Sequence, residues 1–111
     1  MANIAEQIVD MLVKAGVKRI YAVTGDGLNK INDAVRKDGR IQWIHVRHEE
    51  TGAFAAGAEA QLHGNLACCA GSGGPGHVHL INGLYDAHRS GAPVLAIAST
   101  IISGEFGTTY F

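Results

Sequence analysis

Apolar residues along this chain follow two spacings in turn, one typical of helices and the other of short buried strands. Strands are predicted at 19–23, 41–46, 66–70 and 93–98, and helices between Asn3 and Gly16, between Leu28 and Gly39, at 48–63, and from the glycine-rich loop at 71–76 onward. This alternation predicts an α/β fold, a doubly wound parallel sheet with helices on both faces. The runs LACCA and VLAIA are apolar throughout, which predicts strands buried on both sides.

The two ends of the chain differ in regularity. Asn3, with Glu6 three residues later, resembles a capping box at the start of the first helix. The last helix is predicted as one element. Its apolar face contains Val78, Ile81, Leu84 and Tyr85. Residues 99–111 show no clean period, so we expect a single domain, 1–111, that is incomplete at its C-terminal end.

Composition narrows the classes of function. The 111 residues are 47% hydrophobic and carry a net charge of -1, which gives no electrostatic footprint for nucleic acid. No apolar run approaches the ~20 residues that cross a bilayer, and no signal peptide is recognisable. Cys68 and Cys69 are adjacent in an apolar run, which indicates buried, reduced thiols. We therefore expect a cytoplasmic protein.

The most informative stretch joins the second strand to the third helix. Arg47, His48, Glu49 and Glu50 follow one another there, and the helix after them is built largely of alanine and glycine. A carboxylate at such a junction faces the ligand crevice of a parallel sheet. Glycine costs roughly 1 kcal/mol inside a helix, so its repeated use indicates close packing. By composition alone, a surface glutamate pair that caps a packed helix explains the pattern as well.

Four loops reach the edge of the sheet where ligands bind, at 24–27, 47–51, 71–76 and from 99 onward. The loop GSGGPG at 71–76 is neither a P-loop nor a dinucleotide fingerprint. It is a pocket wall shaped by Pro75 or a plain loop whose glycines need positive φ. The Gly25-Asp26-Gly27 segment is predicted to be a turn and helix start rather than a metal site. His77 and His79 are two residues apart, unlike a helical zinc pair, and no protein metal site is expected.

Several motifs together are similar to the N-terminal pyrimidine-binding domain of thiamine diphosphate enzymes. They are AGV at 15–17, TGD at 24–26, RHEE at 47–50, FAAGAEA at 54–60, GPG at 74–76 and HLINGLYDA at 79–87. The resemblance covers essentially the whole chain. Within the superfamily it is closest to pyruvate oxidase, including the quinone-reducing form called pyruvate dehydrogenase (quinone).

The resemblance implies roles for individual residues. Glu49 matches the glutamate that hydrogen-bonds the aminopyrimidine ring and drives it to the imino form, which removes the thiazolium C2 proton. Ser72 and Pro75 match residues that line the pyrimidine pocket, and Gly25 matches the loop beneath it. His79 matches a polar residue near the substrate. A further match, Phe111, is an aromatic residue at the mouth of the pocket.

The resemblance also implies the whole reaction. Pyruvate, or a related 2-oxo acid, is oxidatively decarboxylated to acetate or acetyl phosphate, and FAD passes the electrons to quinone or oxygen. Mg²⁺, FAD and the diphosphate-binding domain of a neighbouring subunit belong to parts absent from this chain. We therefore expect the enzyme to be a homo-oligomer and this domain to be catalytically inert by itself. Peripheral membrane contact is expected only of the full-length enzyme.

Two other functions are consistent with parts of the sequence. The first is the same domain in acetolactate synthase or another 2-oxo acid decarboxylase, although acetolactate synthases usually carry asparagine where this chain has His79. The second is a non-catalytic, flavodoxin-like nucleotide-binding module. That module would account for the glycine loop but not for the position of Glu49 ahead of an alanine-rich helix.

Overall fold

A computed structural model describes residues 1–109, so the predicted role of Phe111 lies outside the described residues. The elements are α1 (Ile4–Lys14), β1 (Arg19–Ala22), α2 (Asn29–Asp38), β2 (Gln42–His45), α3 (Glu49–His63), β3 (Ala67–Gly71), α4 (Pro75–Val78), α5 (Ile81–Arg89) and β4 (Val94–Ala98). Single 3-10 turns lie at Asp26–Leu28 and Ser103–Glu105. Within the described part of the chain, no helix has the length and apolar character needed to cross a membrane.

The four strands form one parallel sheet in the order β2-β1-β3-β4. Alternate residues of β3 face opposite sides of it. Cys68 packs into a core built with α1 and α2, whereas Cys69 packs into a second core built with α3. Helices therefore cover both faces, and the predicted doubly wound α/β fold is confirmed. The strand order reverses direction between β1 and β3, which is where ligands bind in folds of this kind.

Local signals in the sequence explain where several elements begin and end. The capping box is confirmed, because the Asn3 side chain accepts from the Glu6 backbone N–H at 2.9 Å and Glu6 accepts from the Asn3 N–H at 3.0 Å. Gly39 and Gly64 end α2 and α3 in the left-handed conformation, at φ 75° and 68°. This conformation favours glycine, which has no Cβ to clash.

The second core is built from small side chains. Ala53, Ala56 and Ala60 of α3 are almost completely buried against β3 and α5. A Cβ on Gly83 of α5 would overlap the Ala53 side chain and come within 2.7 Å of the Phe54 backbone nitrogen. The two helices therefore approach closely at a glycine, as the composition of α3 predicts.

The prediction of one continuous fourth helix is wrong. The segment forms α4 and α5, with His79 and Leu80 between them. The predicted apolar face holds only for Leu84, which packs half-buried against the second core. Val78, Ile81 and Tyr85 are exposed, while Leu80 is buried. Gly83 and Ala87 are the buried residues of α5, and the close approach of α3 leaves no room for a larger side chain at Gly83.

Burial of the strands follows their position in the sheet. Every residue of β3 is buried, as predicted for a strand covered on both sides. The same prediction is wrong for β4, whose residues are half-buried or exposed, and Leu95 is 41% exposed. β4 is the last strand in the order, where helices cover the sheet less completely.

Candidate functional site

The loops after β1 and β3 meet at the point where the strand order reverses. A Cβ on Gly25 would lie 2.5 Å from Ser72 Cβ and 2.6 Å from its Oγ. These distances are too short for any side chain, so only glycine lets the two loops approach this closely. The structure therefore brings together Gly25 and Ser72, two of the residues predicted to hold a cofactor.

The glycine loop after β3 folds back on itself. A Cβ on Gly71 would lie 2.5 Å from the Gly76 carbonyl oxygen, and Gly74 has φ 69° and ψ -128°. Pro75 then begins α4, at a position where its missing N–H costs nothing. The predicted need for positive φ is confirmed at Gly74, and Gly71 allows the close approach of the backbone. The pocket wall shaped by Pro75 stays a prediction.

Glu49 is the first residue of α3 and is only 9% exposed. Its Oε1 would lie 3.2 Å from a Cβ on Gly76, so the carboxyl group rests against the glycine loop. Glu50 is half-buried, and its Oε1 lies 3.5 Å from Asn82 Nδ2. The alternative of a surface glutamate pair is therefore wrong for Glu49. The two neighbouring carboxyl groups have different surroundings.

His79 lies between α4 and α5 and reaches back to the start of α3. Its Nδ1 is 3.0 Å from Glu49 Oε2, and its side chain is 40% exposed, against 12% for that of Glu49. His77 faces elsewhere, with Nδ1 at 3.0 Å from the Ser99 carbonyl oxygen. His77 and His79 thus have different hydrogen-bond partners, and of these two histidines only His79 contacts Glu49.

His48 is a member of this site that the sequence analysis did not single out. It is the N-cap of α3, and its Nδ1 accepts a hydrogen bond from the Glu50 backbone N–H at 3.2 Å. Its ring stacks on the His79 ring, with centroids 4.4 Å apart and planes 24° from parallel. The sequence signal that could have identified His48 is its position directly before a helix that begins with two acidic residues.

The donor atoms of His48, Glu49 and His79 lie within 4.8 Å of one another, a grouping that could hold a metal ion. The capping bond weighs against this use. Because Nδ1 of His48 accepts an N–H, neutral His48 carries its proton on Nε2 and has no lone pair left for a metal. A metal at this cluster would have to displace the cap of α3.

Two other candidate chemical groups have plain structural roles. The Gly25-Asp26-Gly27 segment forms a 3-10 turn that leads into α2, as predicted, and exposed Asp26 accepts from Asn29 Nδ2 at 3.5 Å. Cys68 and Cys69 are buried free thiols, as predicted, and burial raises the pKa of each to about 12. Thiols held protonated in this way are poor nucleophiles.

Comparison with known proteins shows the family to which the chain belongs. The family model described as "Thiamine pyrophosphate enzyme, N-terminal TPP binding domain" matches residues 2–111. An uncharacterized 42.6 kDa protein in the isoamylase 3' region of Pseudomonas amyloderamosa is 63% identical over 100% of this chain and 28% of its own length. The pyruvate oxidase of Lactiplantibacillus plantarum is 47% identical over 92% of this chain and 16% of its own length.

An acetolactate synthase of Bacillus subtilis is 35% identical over 91% of this chain and 18% of its own length. The chain therefore spans less than a third of each of these three relatives. The match to the family, in contrast, runs along nearly the whole chain and includes every element described above. The chain thus belongs to the thiamine pyrophosphate enzymes and corresponds to their N-terminal TPP binding domain.

Proposed function

We propose that this chain is the pyrimidine-binding domain of a thiamine diphosphate- and FAD-dependent pyruvate oxidase, and that Glu49 is its aminopyrimidine-activating residue. The observation that carries the proposal is the buried Glu49 carboxyl group, which lies against Gly76 and is bonded to His79. The choice among thiamine enzymes is supported by 47% identity to a pyruvate oxidase, against 35% to an acetolactate synthase.

The residues present fit the aminopyrimidine ring of thiamine diphosphate. A flat heterocycle with ring nitrogens needs a carboxyl partner held away from water and a wall without bulky side chains. Glu49 supplies the carboxyl group, and the glycines at 25 and 76 leave the wall open where a Cβ would meet Ser72 or Glu49. Pro75 fixes the backbone of the same wall. Gly25, Ser72 and Pro75 are therefore proposed to line the ring's pocket.

Bound thiamine diphosphate supplies the electron sink that lets a 2-oxo acid lose carbon dioxide. Glu49 holds or releases a proton at its carboxyl oxygens, where a shielded group can share that proton with a ring nitrogen. Oε2 is bonded to His79, whereas Oε1 lies beside Gly76. His79 is proposed to orient the carboxyl group through this bond and, with its half-exposed ring, to lie near the substrate. The alanines of α3 exclude water from behind the site.

The remaining parts of the enzyme are proposed to come from outside this domain. The cluster at Glu49 keeps a capping bond that a metal would break, so Mg²⁺ is assigned to the diphosphate-binding domain of a neighbouring subunit. FAD is assigned to a further domain. The enzyme is accordingly proposed to be a cytoplasmic homo-oligomer, with membrane contact confined to the full-length form. This domain alone is expected to be inert.

An acetolactate synthase, or another 2-oxo acid decarboxylase, is the second candidate, because a relative of that name shares the family. The non-catalytic nucleotide-binding module loses its support, since the family match points to thiamine pyrophosphate. Mixing pyruvate with the full-length enzyme under anaerobic conditions separates the two enzymes. Bleaching of the flavin absorbance with release of carbon dioxide is expected. Formation of acetolactate with the flavin unchanged would overturn the proposal in favour of the synthase.

A further inference from the structure

The orientation of His79 depends on few contacts of its own. It lies between two short helices, and its side chain is 40% exposed. Its hydrogen bond to Glu49 Oε2 uses only Nδ1. Rotation about the Cα–Cβ bond would swing the half-exposed ring toward solvent and break this bond. A second contact against the face of the ring would oppose that rotation.

His48 has the fixed orientation that His79 lacks. Its backbone is extended, with φ -152° and ψ 139°, and its Nδ1 is bonded to the Glu50 N–H at 3.2 Å as the cap of α3. The cap orients the ring, because only one of its edges carries a nitrogen close enough to accept this bond. The cap also sets the tautomer of the neutral ring, with the proton on Nε2. His48 is thus anchored to the first turn of α3.

The two rings form a flat pair, with centroids 4.4 Å apart and planes 24° from parallel. Aromatic pairs at such distances favour their packed geometry by a factor of roughly 2 to 10 over an unstacked one. We propose that His48 is a positioning residue, which holds the His79 ring by stacking within hydrogen-bond reach of Glu49.

These contacts form a continuous series at the start of α3. The Glu50 N–H orients His48, His48 orients His79, and His79 bonds the carboxyl group of Glu49. Glu50 and Glu49, which are adjacent in α3, are therefore the first and last residues of this series. A role for this series of contacts in catalysis rests on the proposed role of Glu49. The contacts themselves are present in this chain without any cofactor.

Two substitutions of His48 separate the stack from the cap. His48→Phe keeps a flat ring but loses the capping acceptor. His48→Asn loses the ring but keeps a side chain that is among the best N-caps. The readout is the nitrogen NMR spectrum of the His79 ring in the uniformly labelled chain, which reports whether Nδ1 is hydrogen-bonded and protonated. His88→Ala, an exposed histidine on α5, is the matched control.

His48→Phe loses the anchor but keeps a ring to stack on, so it is expected to retain more of the bonded His79 than His48→Asn does. His48→Asn is expected to lower the ratio of bonded ring to ring displaced toward solvent roughly 2- to 10-fold, while the amide spectrum of α3 beyond its first turn stays unchanged. Unchanged His79 signals in His48→Asn would overturn the proposal. So would equal losses in the two variants, because the cap rather than the stack would then orient His79. No thiamine diphosphate is present, so this result is independent of the test of the proposed function.

Discussion

Nδ1 of His79 and Oε2 of Glu49 lie 3.0 Å apart, although the two residues are separated by 30 positions in the chain. The parallel sheet brings Glu49 and His79 close together. Glu49 begins the helix after β2, and His79 follows the loop after β3, and the ends of both strands point to the same edge. A buried carboxyl group is thereby given a hydrogen-bonding partner.

The energetic coupling of this pair is measurable. We expect Glu49→Gln and His79→Ala to be non-additive in the free energy of unfolding, with a coupling of about 0.5 to 3 kcal/mol, because each residue is the other's partner. Urea unfolding of the two single variants and the double variant gives this value. A matched cycle between Glu50→Gln and His79→Ala should be additive within about 0.5 kcal/mol. Equal coupling in the two cycles would contradict the pairing.

Close packing of α3 on α5 predicts a strong effect at one glycine. Gly83→Ala would overlap Ala53, and we expect it to lower the free energy of unfolding by about 1 to 3 kcal/mol. Gly104→Ala is the control, because nothing lies within 4 Å of its added Cβ. Thermal unfolding followed by circular dichroism compares the two. Equal melting temperatures for the two variants would show that the helices are not this close.

Gly76 permits a test that separates function from stability. An added Cβ would lie 3.2 Å from Glu49 Oε1, the end of a side chain that can move, so Gly76→Ala should fold but displace the carboxyl group. We expect turnover of the full-length enzyme to fall roughly 10- to 100-fold, as small misplacements of reacting groups do. Gly73→Ala, whose Cβ would make only an ordinary 3.6 Å contact with Thr100, should keep its activity. A fully active Gly76→Ala enzyme would argue against the site.

The two buried thiols predict instability at alkaline pH. Burial raises their pKa from 9.0 to about 12, so above pH 9 the unfolded chain loses protons that the folded chain retains. Each thiol then lowers the free energy of unfolding by up to about 1.4 kcal/mol per pH unit, and the effect is absent below pH 9. Urea unfolding of the chain should be compared with a Cys68→Ala, Cys69→Ala double variant at about pH 8 and pH 10. Equal losses in both proteins would contradict thiol burial.

Much of the fold could be predicted because the sequence carries it locally. Apolar runs, glycine stops and the Asn3 cap mark the elements, and the parallel topology then places the loops of Gly25, Glu49 and Ser72 at one edge. The burial of Glu49 could not be read from composition, which by itself favoured a surface glutamate pair. It follows from the approach of Gly76, which is a tertiary contact.

The remaining differences also have tertiary causes. The chain breaks between α4 and α5 at His79 and Leu80, and no local breaker marks the sequence there. The stack of His48 on His79 depends in turn on that break. Half-exposure of β4 follows from its place at the edge of the sheet, which an apolar run such as VLAIA does not reveal.

The measurement that most directly tests the role of Glu49 is the exchange rate of the C2 proton of thiamine diphosphate bound to the full-length enzyme. Hydrogen–deuterium exchange, quenched by acid and read by NMR, gives this rate. We predict that Glu49→Gln slows exchange by roughly 10²- to 10⁴-fold, the contribution of a positioned acid–base group, while Glu50→Gln stays close to the unmodified enzyme. Exchange as fast in Glu49→Gln as in Glu50→Gln would contradict the account.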